Sequence, residues 1–159
     1  NKLKISICMI GKLTGEQIDD ILKRNVLGRI GCHDGKKTYV VPVNYIYDGH
    51  FILAHSLEGM KIEMMRKQPQ VCFEVDEMQS LTNWRSVIVW GEYQELTEER
   101  ERYYAMKLFV DKGLHLKISD AVIPSELNKL PMLPPLPGNN RPVIYRIVIT
   151  ERTGKFERD

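Results

Sequence analysis

The first half of this chain contains a series of short apolar segments separated by tight-turn signals, and this series restricts the fold more than any other feature. The segment "GRIGCH" (28–33) is followed by "DGKK", the segment "TYVVPVNYIYD" (38–48) ends in a second Asp-Gly pair, and "HFILAHS" (50–56) comes next. Asp-Gly between two strand-like segments is a strong β-hairpin signal. Three strands joined by tight turns predict an antiparallel meander.

Later segments extend this meander into a closed architecture. Strand-like composition recurs in three of them: 70–78, 83–96 and 141–149. Apolar residues at helical spacing occur in three others: 13–25, 59–69 and 97–113. Gly91 is expected to form a bend or bulge within its strand. Six strands with mostly local connections and no βαβ alternation predict a mainly β fold, an antiparallel barrel with peripheral helices.

The helix signals also predict caps and buried faces. Thr14 with Gln17 three residues later is the glutamine form of a capping box at the start of the first helix. In the third helix, the spacing turns Tyr104, Leu108 and either Phe109 or Val110 toward the core, and Gly113 ends the helix.

Length and charge exclude several classes of protein. A chain of 159 residues predicts one domain, 1–159, with a substantial core. The net charge of +2 is too small to predict nucleic acid or a membrane surface as a partner. No apolar run approaches the roughly 18 residues of a spanning helix, and the near-apolar stretch 5–10 is shorter than a signal-peptide core. We therefore expect a cytoplasmic protein.

Prolines and cysteines add two further expectations. Five prolines between Pro124 and Pro137 make residues 119–142 an extended connector within the domain. A connector of this length is unusual, so we expect it to cover a site or a partner subunit. The three cysteines, Cys8, Cys32 and Cys72, are too dispersed in the sequence for a disulfide framework. Cys32 and Cys72 are expected to be reduced core residues. No spacing of His or Cys residues predicts a metal site.

The sequence "LAHSLEGMK" (53–61) places a histidine, a hydroxyl and a lysine where a strand gives way to a helix. Lys61 lies in the first helical turn, where cations are disfavoured because the helix N-terminus carries about half a positive charge. One explanation is an ion pair between Lys61 and Glu58. The other is a phosphate held by free backbone N–H groups, the Ser56 hydroxyl and Lys61. The residues alone leave both explanations open.

Polar residues on two strands are weaker candidates. Pro42 lacks an N–H group and interrupts the ladder of its strand, which exposes main-chain groups beside Asn44. Arg85 and Ser86 are, by residue type alone, ordinary surface side chains of a strand. His55 has no acidic partner at a fixed spacing, so no catalytic triad is predicted.

Five segments occur in the order and spacing of a known family: "GRIGC" (28–32), "YVVPVNYIYDG" (39–49), "FILAHSLEGMKIEMMRKQPQVCFEVDE" (51–77), "WRSVIVWGEYQEL" (84–96) and "YRIVITERTGKFE" (145–157). Together they resemble the pyridoxamine-phosphate-oxidase-like flavin-binding proteins, most closely the nitroimidazole-resistance branch. The connector matches least well. No segment matches the substrate-binding C-terminal part of true pyridoxamine phosphate oxidases, so the resemblance does not imply oxidation of vitamin B6.

The resemblance implies a six-stranded split β-barrel and a homodimer, with FMN, or FAD in its place, bound at the dimer interface. His55, Ser56 and Lys61 would hold the phosphate or lie beside the flavin. The flavin ring would contact residues of two strands: Pro42, Val43 and Asn44 on one, and Arg85, Ser86 and Val87 on the other. Trp84 and Trp90 would approach the ring or the dimer seam.

The resemblance leaves two functions open. One is a flavin-dependent oxidoreductase that reduces nitroimidazole or other nitroaromatic compounds and so confers antibiotic resistance, with His55 delivering a proton or positioning the substrate. The other is a non-catalytic flavin-binding carrier or sensor. A barrel that binds single-stranded nucleic acid is disfavoured by the +2 charge and by the acidic segments "EVDE" and "TEERE".

Overall fold

A computed structural model of the chain describes residues 9–113 and 141–159. Cys8 and the predicted connector, except for its last two residues, lie outside them. The described chain forms ten elements: β1 (Met9–Lys12), α1 (Gly15–Arg24), β2 (Leu27–His33), β3 (Thr38–Tyr47), β4 (Phe51–Ser56), α2 (Met60–Lys67), β5 (Gln70–Ser80), β6 (Asn83–Glu95), α3 (Glu99–Asp111) and β7 (Val143–Arg158). None of these helices is both long and apolar enough to cross a membrane.

Six strands pair into a ring in the order β7–β4–β3–β2–β5–β6, and β6 pairs with β7 to close it. Every pairing is antiparallel. This confirms the predicted mainly β fold with a six-stranded barrel and peripheral helices. The additional strand β1 pairs with the far end of β7. It was not predicted, because four residues are too few to show a strand pattern.

The two hairpin turns and the free strand edge at Pro42 agree with the predictions from the sequence. Gly35 and Gly49 have φ values of 91° and 99°, which glycine adopts without the steric cost that a Cβ would add. β3 pairs with β2 over its first seven residues, including Pro42 opposite Arg29. It pairs with β4 only through Tyr45–Tyr47. Within the described residues, the half of β3 that contains Pro42 therefore has one free edge, as its missing N–H group allows, while its pairing with β2 continues through Pro42 without a gap.

The bulge expected at Gly91 occurs in the pairing of β6 with β7, and its extra residue lies on β7. Trp90 pairs with Glu151 and Gly91 with Ile149, so Thr150 is an extra residue on β7. A Cβ on Gly91 would lie 2.4 Å from the carbonyl oxygen of Val148. Glycine is therefore required here because the two backbones approach too closely for any side chain.

Two apolar clusters form the core. The larger one fills the ring and packs α1 and α2 against it, with Tyr45, Phe73 and Tyr145 among its largest fully buried side chains. The smaller one lies between α3 and the strands β3, β4 and β7, where Phe109 and Ile144 are fully buried. The outside of β4 is thus covered by α3, which matters for the residues at its end.

The buried face of α3 includes Phe109, as predicted, and Leu108 packs against the same cluster, but Tyr104 does not belong to it. Tyr104 is 53% exposed, whereas Ala105, Met106 and Phe109 are buried. The helix is turned because Arg102 is buried and its guanidinium donates to the carbonyl oxygens of Leu96 (3.3 Å) and Pro142 (3.1 Å). A pattern of apolar residues cannot reveal a face that an arginine occupies. Gly113 ends the helix region with a φ of 69°, as predicted.

Candidate functional site

The junction between β4 and α2 presents an uncapped helix N-terminus. β4 ends at Ser56 and α2 begins at Met60, after an extended Gly59 that supplies no side-chain cap. The Ser56 hydroxyl donates to the carbonyl oxygen of Leu57 at 2.9 Å, which leaves its lone pairs available to a donor. The first backbone N–H groups of a helix need acceptors from outside the helix. This end of α2 is therefore suited to an anion.

Lys61 adds a cation to this helix end. Its side chain is partly buried, and burial lowers its pKa, an effect that the nearby Cys32 thiol opposes. Glu58 does not form the predicted ion pair with Lys61: its two carboxylate oxygens accept from Arg66 at 2.8 and 2.9 Å. Among the described residues, no carboxylate compensates Lys61. The ion pair is therefore absent, and this helix end with Ser56 and Lys61, which we call the anion seat, is a candidate site for an anion.

His55 faces α3 instead of solvent. Its ring packs edge-on against Phe109, with 4.7 Å between the ring centroids and an angle of 80° between the planes. Both ring nitrogens are buried and have no hydrogen-bond partner among the described residues. Burial, with a smaller contribution from the charge of Lys61, lowers the pKa of His55 to about 4. The imidazole is therefore neutral at neutral pH.

A second set of candidates lies on the surface of four adjacent strands, which we call the outer face. Its side chains come from rows of directly paired residues. One row consists of Val40, Gly31, Cys72 and Trp90, and the next of Pro42, Arg29, Glu74 and Ile88. Two further pairs flank these rows: Asn44 with Leu27, and Asp76 with Ser86. Paired residues project from the same side of a sheet. The structure thus brings Pro42, Asn44 and Ser86 onto one surface.

The outer face contains a mostly apolar groove of about 540 Å³, lined in part by Val40, Cys72 and Trp90. This volume is within the range of small-molecule sites. Polar groups border it, since Ser86 Oγ donates to Glu74 at 3.1 Å and Arg29 reaches Glu74 at 3.3 Å. The groove is also lined by Cys32, a thiol whose pKa is raised by burial and lowered in part by the nearby charge of Lys61. This links the outer face to the anion seat through β2.

Three other predicted contacts lie elsewhere. Val43 and Val87 are buried in the barrel core, so any ligand would meet their main chain and not their side chains. Arg85 is exposed and lines a separate polar groove near the Arg24–Glu77 salt bridge.

Trp84 lies at the polar groove, whereas Cys32 and Cys72 line the groove of the outer face. The indole N–H of Trp84 donates to Glu157 at 2.7 Å. Cys32 is buried as predicted, whereas Cys72 is partly exposed on the outer face. Both thiols are free. Within the described ranges, no group of three or more His, Cys, Asp or Glu side chains is placed to hold a metal ion.

Sequence reasoning missed two participants, Glu74 and Arg66. Glu74 connects Ser86 to Arg29 across three strands, and the alternation in "VCFEVDE" could have placed it on the face of Cys72. Arg66 binds Glu58 and, across the fold, Glu95. No local pattern signals a contact between residues 29 positions apart.

A closed antiparallel ring, an uncompensated cation at an open helix N-terminus and an apolar groove on the outer face define a small-molecule-binding β-barrel protein. Residues 14–156 match the profile of the family described as pyridoxamine 5'-phosphate oxidase, so the chain belongs to that family. The resemblance seen in the sequence is therefore confirmed, and the fold is the split barrel of that family.

Three relatives show how far the similarity extends. An uncharacterised protein of Rhizobium meliloti (strain 1021) is 32% identical over 104 residues, covering 63% of this chain and 69% of that protein. The crystal structure of an FAD-binding protein from Mesorhizobium loti is 26% identical, with a TM-score of 0.70, covering 96% of this chain and 99% of that one. A Bacteroides thetaiotaomicron protein, provisionally named a 5-nitroimidazole antibiotic resistance protein, is 18% identical with a TM-score of 0.70, covering 96% and 90% of the two chains. This last likeness shows the shared fold alone.

Proposed function

We propose that this protein binds a flavin nucleotide and uses it to reduce small molecules, with nitroaromatic compounds such as nitroimidazoles as the substrate class and antibiotic resistance as the outcome. The FAD-binding protein of Mesorhizobium loti, similar over nearly the whole chain, supports the flavin. The structural observation that carries the proposal is Lys61, partly buried at the uncapped N-terminus of α2 without a carboxylate partner among the described residues.

A flavin phosphate fits this position on electrostatic grounds. Burial disfavours the charge on Lys61, and a phosphate would restore a favourable partner for it. The free N–H groups of α2 supply donors of the kind that bind phosphate at helix N-termini. The Ser56 hydroxyl would join them by turning its O–H from the Leu57 carbonyl oxygen to the phosphate. FMN and FAD both carry a phosphate next to the ribityl chain, so the same seat serves either flavin. FMN is the expected cofactor, and FAD would extend from the same phosphate.

The flavin ring is proposed to lie against the outer face. Pro42, Asn44 and Ser86 border that surface, and the free edge of β3 beside Pro42 leaves main-chain groups available to bond a planar heterocycle. The main chain of Val43 and of Val87 would complete these contacts. Arg85, at the start of the same strand as Ser86, is proposed to reach the cofactor from the adjoining polar groove.

A homodimer with the cofactor between the two copies completes the proposal. The outer face exposes large apolar side chains: Val40 is 61% exposed, Leu27 53% and Trp90 40%. Contiguous exposed apolar surface marks interaction sites on soluble proteins. A second copy would cover this face and exclude water from the groove.

The chain and the cofactor would divide the work. A bound flavin supplies the electron transfer, while the protein binds and orients it. His55 would act as a neutral hydrogen-bonding group that positions the substrate or the flavin. Its lowered pKa means that the imidazole is not protonated at neutral pH and so cannot act there as an imidazolium acid.

The binding proposal is tested by Lys61→Ala, with Lys67→Ala at the other end of the same helix as the matched control. Loss of the cation should weaken FMN binding about tenfold or more, as expected for one charge-assisted hydrogen bond. Lys67→Ala should bind as tightly as wild type. Fluorescence titration gives the affinities, and the mass of the released cofactor identifies FMN or FAD. Equal affinity in all three proteins would show that the phosphate lies elsewhere.

Turnover separates the proposed enzyme from a second candidate, a flavin carrier or sensor. The burial of His55 against Phe109 favours this second candidate, since it keeps that imidazole neutral and enclosed and so unsuited to protonating a substrate. The flavin-loaded protein should oxidise a reduced nicotinamide donor in the presence of a nitroimidazole and yield the reduced amine. Stable flavin binding without turnover by any reduced donor would identify the carrier.

A further inference from the structure

We propose that Arg66 is a positioning residue for the anion seat, which holds Glu58 away from Lys61 and from the N-terminus of α2. This inference rests on the proposed flavin phosphate site and concerns how that site is kept open. Arg66 touches neither the proposed phosphate nor the outer face, so its role is indirect.

Arg66 forms bidentate contacts with two carboxylates, Glu58 and Glu95, an arrangement that we call the clamp. Its Nη1 and Nη2 atoms donate to the two carboxylate oxygens of Glu58 at 2.8 and 2.9 Å. Its Nε and Nη2 atoms donate to the two oxygens of Glu95 at 2.8 and 2.9 Å. Glu95 also accepts from the Tyr93 hydroxyl at 2.9 Å. Glu58 is thus tied through Arg66 to the end of β6.

Without this clamp, Glu58 would compete with a phosphate. It lies two residues before Met60, the first residue of α2, and three before Lys61. Helix N-termini attract carboxylates, and a nearby carboxylate satisfies the same N–H groups and the same ammonium group as a phosphate would. A released Glu58 would therefore form the ion pair with Lys61 that the sequence suggests.

The clamp is stronger than an ordinary surface ion pair. Isolated exposed pairs contribute little, but bidentate arginine–carboxylate contacts are geometrically specific. Glu95 and then Glu58 raise the pKa of Arg66, and Arg66 in turn lowers the pKa of Glu95. The arrangement also offsets the negative charge of Glu58 next to a site that would take an anion.

The test is a mutant cycle read by FMN fluorescence titration. Arg66→Ala should weaken FMN binding about tenfold, because the released carboxylate occupies Lys61 and the helix end. The double variant Arg66→Ala/Glu58→Gln should bind within about twofold of wild type, since the neutral amide no longer competes for the cation. Glu58→Gln alone should bind FMN at least as tightly as wild type. Lys67→Ala, which removes the neighbouring cation of α2 and leaves the contacts of Arg66 with Glu58 and Glu95 in place, is the matched control and should bind as wild type.

Three outcomes overturn the inference in distinguishable ways. Wild-type affinity in Arg66→Ala, together with weak binding in Lys61→Ala, would remove the role of Arg66 and leave the phosphate site standing. Weak binding in Arg66→Ala that the double variant does not recover would show that Arg66 acts only by supporting α2, which thermal melts would register as lost stability. Failure of wild-type protein to bind any flavin would instead refute the proposed function.

Discussion

His55 and Lys61 are six residues apart, and burial disfavours the charged form of both. Lys61 reaches a helix end that can accept an anion, so its charge has a use. His55 is enclosed by α3 and loses its charge instead. The same physical effect thus acts on an imidazole that is kept neutral and on a cation that we propose binds the flavin phosphate.

The neutral state of His55 predicts a specific dependence of stability on pH. The folded-state pKa of about 4 lies below the ordinary value of 6.5, so between these values the unfolded chain binds a proton that the folded chain does not. Stability should therefore fall as the pH decreases from about 6.5 to 4, by about 3 kcal/mol for this residue. Urea denaturation across this range should show this additional loss in wild type, whereas His55→Phe should lose only the smaller contribution of carboxylates such as Glu77 and Glu95.

The control for this experiment is His50→Gln, on the exposed turn between β3 and β4. Its stability should change with pH in parallel with wild type. Parallel curves for His55→Phe and wild type would show that His55 becomes protonated in the folded protein and is not enclosed as described.

At the residue scale, the sequence was sufficient for positions and insufficient for partners. Ser56 and Lys61 were expected at a strand-to-helix junction because that inference needs only neighbouring residues. The pairing of Glu58 was open, because its partner Arg66 is fixed by Glu95 on a distant strand.

At the scale of elements, Gly91 is the position where two strands impose the strictest requirement. A Cβ there would lie 2.4 Å from the Val148 carbonyl oxygen and 2.6 Å from a methyl carbon of Ile147. Because one of these atoms belongs to the backbone of a paired strand, it cannot rotate away. Gly91→Ala should destabilise the protein by about 2–3 kcal/mol, measured by urea denaturation.

Gly15→Ala is the matched control, since the nearest atom to its added Cβ is a flexible arginine nitrogen 3.9 Å away. At the first residue of α1 the alanine should be neutral or slightly stabilising. If Gly91→Ala were as stable as Gly15→Ala, β6 and β7 would have to cross at a greater separation than described.

Elements whose signals are local were predictable, and those decided by long-range contacts were not. The capping box forms both of its bonds, with Gln17 N donating to Thr14 Oγ1 at 3.2 Å and Thr14 N to Gln17 Oε1 at 2.9 Å. The prediction that Tyr104 faces the core was wrong because Arg102 is buried instead and binds carbonyl oxygens from other parts of the chain. The strand β1 exists only because the end of β7 offers it a partner.

For the whole molecule, the outer face is the surface where a second copy would matter most. It holds the groove and the predicted contacts Pro42, Asn44 and Ser86 on the same four strands. The apolar side chains of Val40 and Trp90 project from one row of that sheet. If two copies pack there, a substitution that disrupts the dimer should also weaken flavin binding.

Trp90→Glu tests this coupling, because it places a charge in the middle of the proposed interface, where charged residues are depleted. Sedimentation should show a shift from dimer to monomer, and FMN titration should show weaker binding by the same variant. Tyr103→Glu, on the exposed side of α3, should leave both properties unchanged. A Trp90→Glu protein that stays dimeric would place the interface on another surface, and a monomer that binds FMN as tightly as wild type would show that one copy completes the cofactor site.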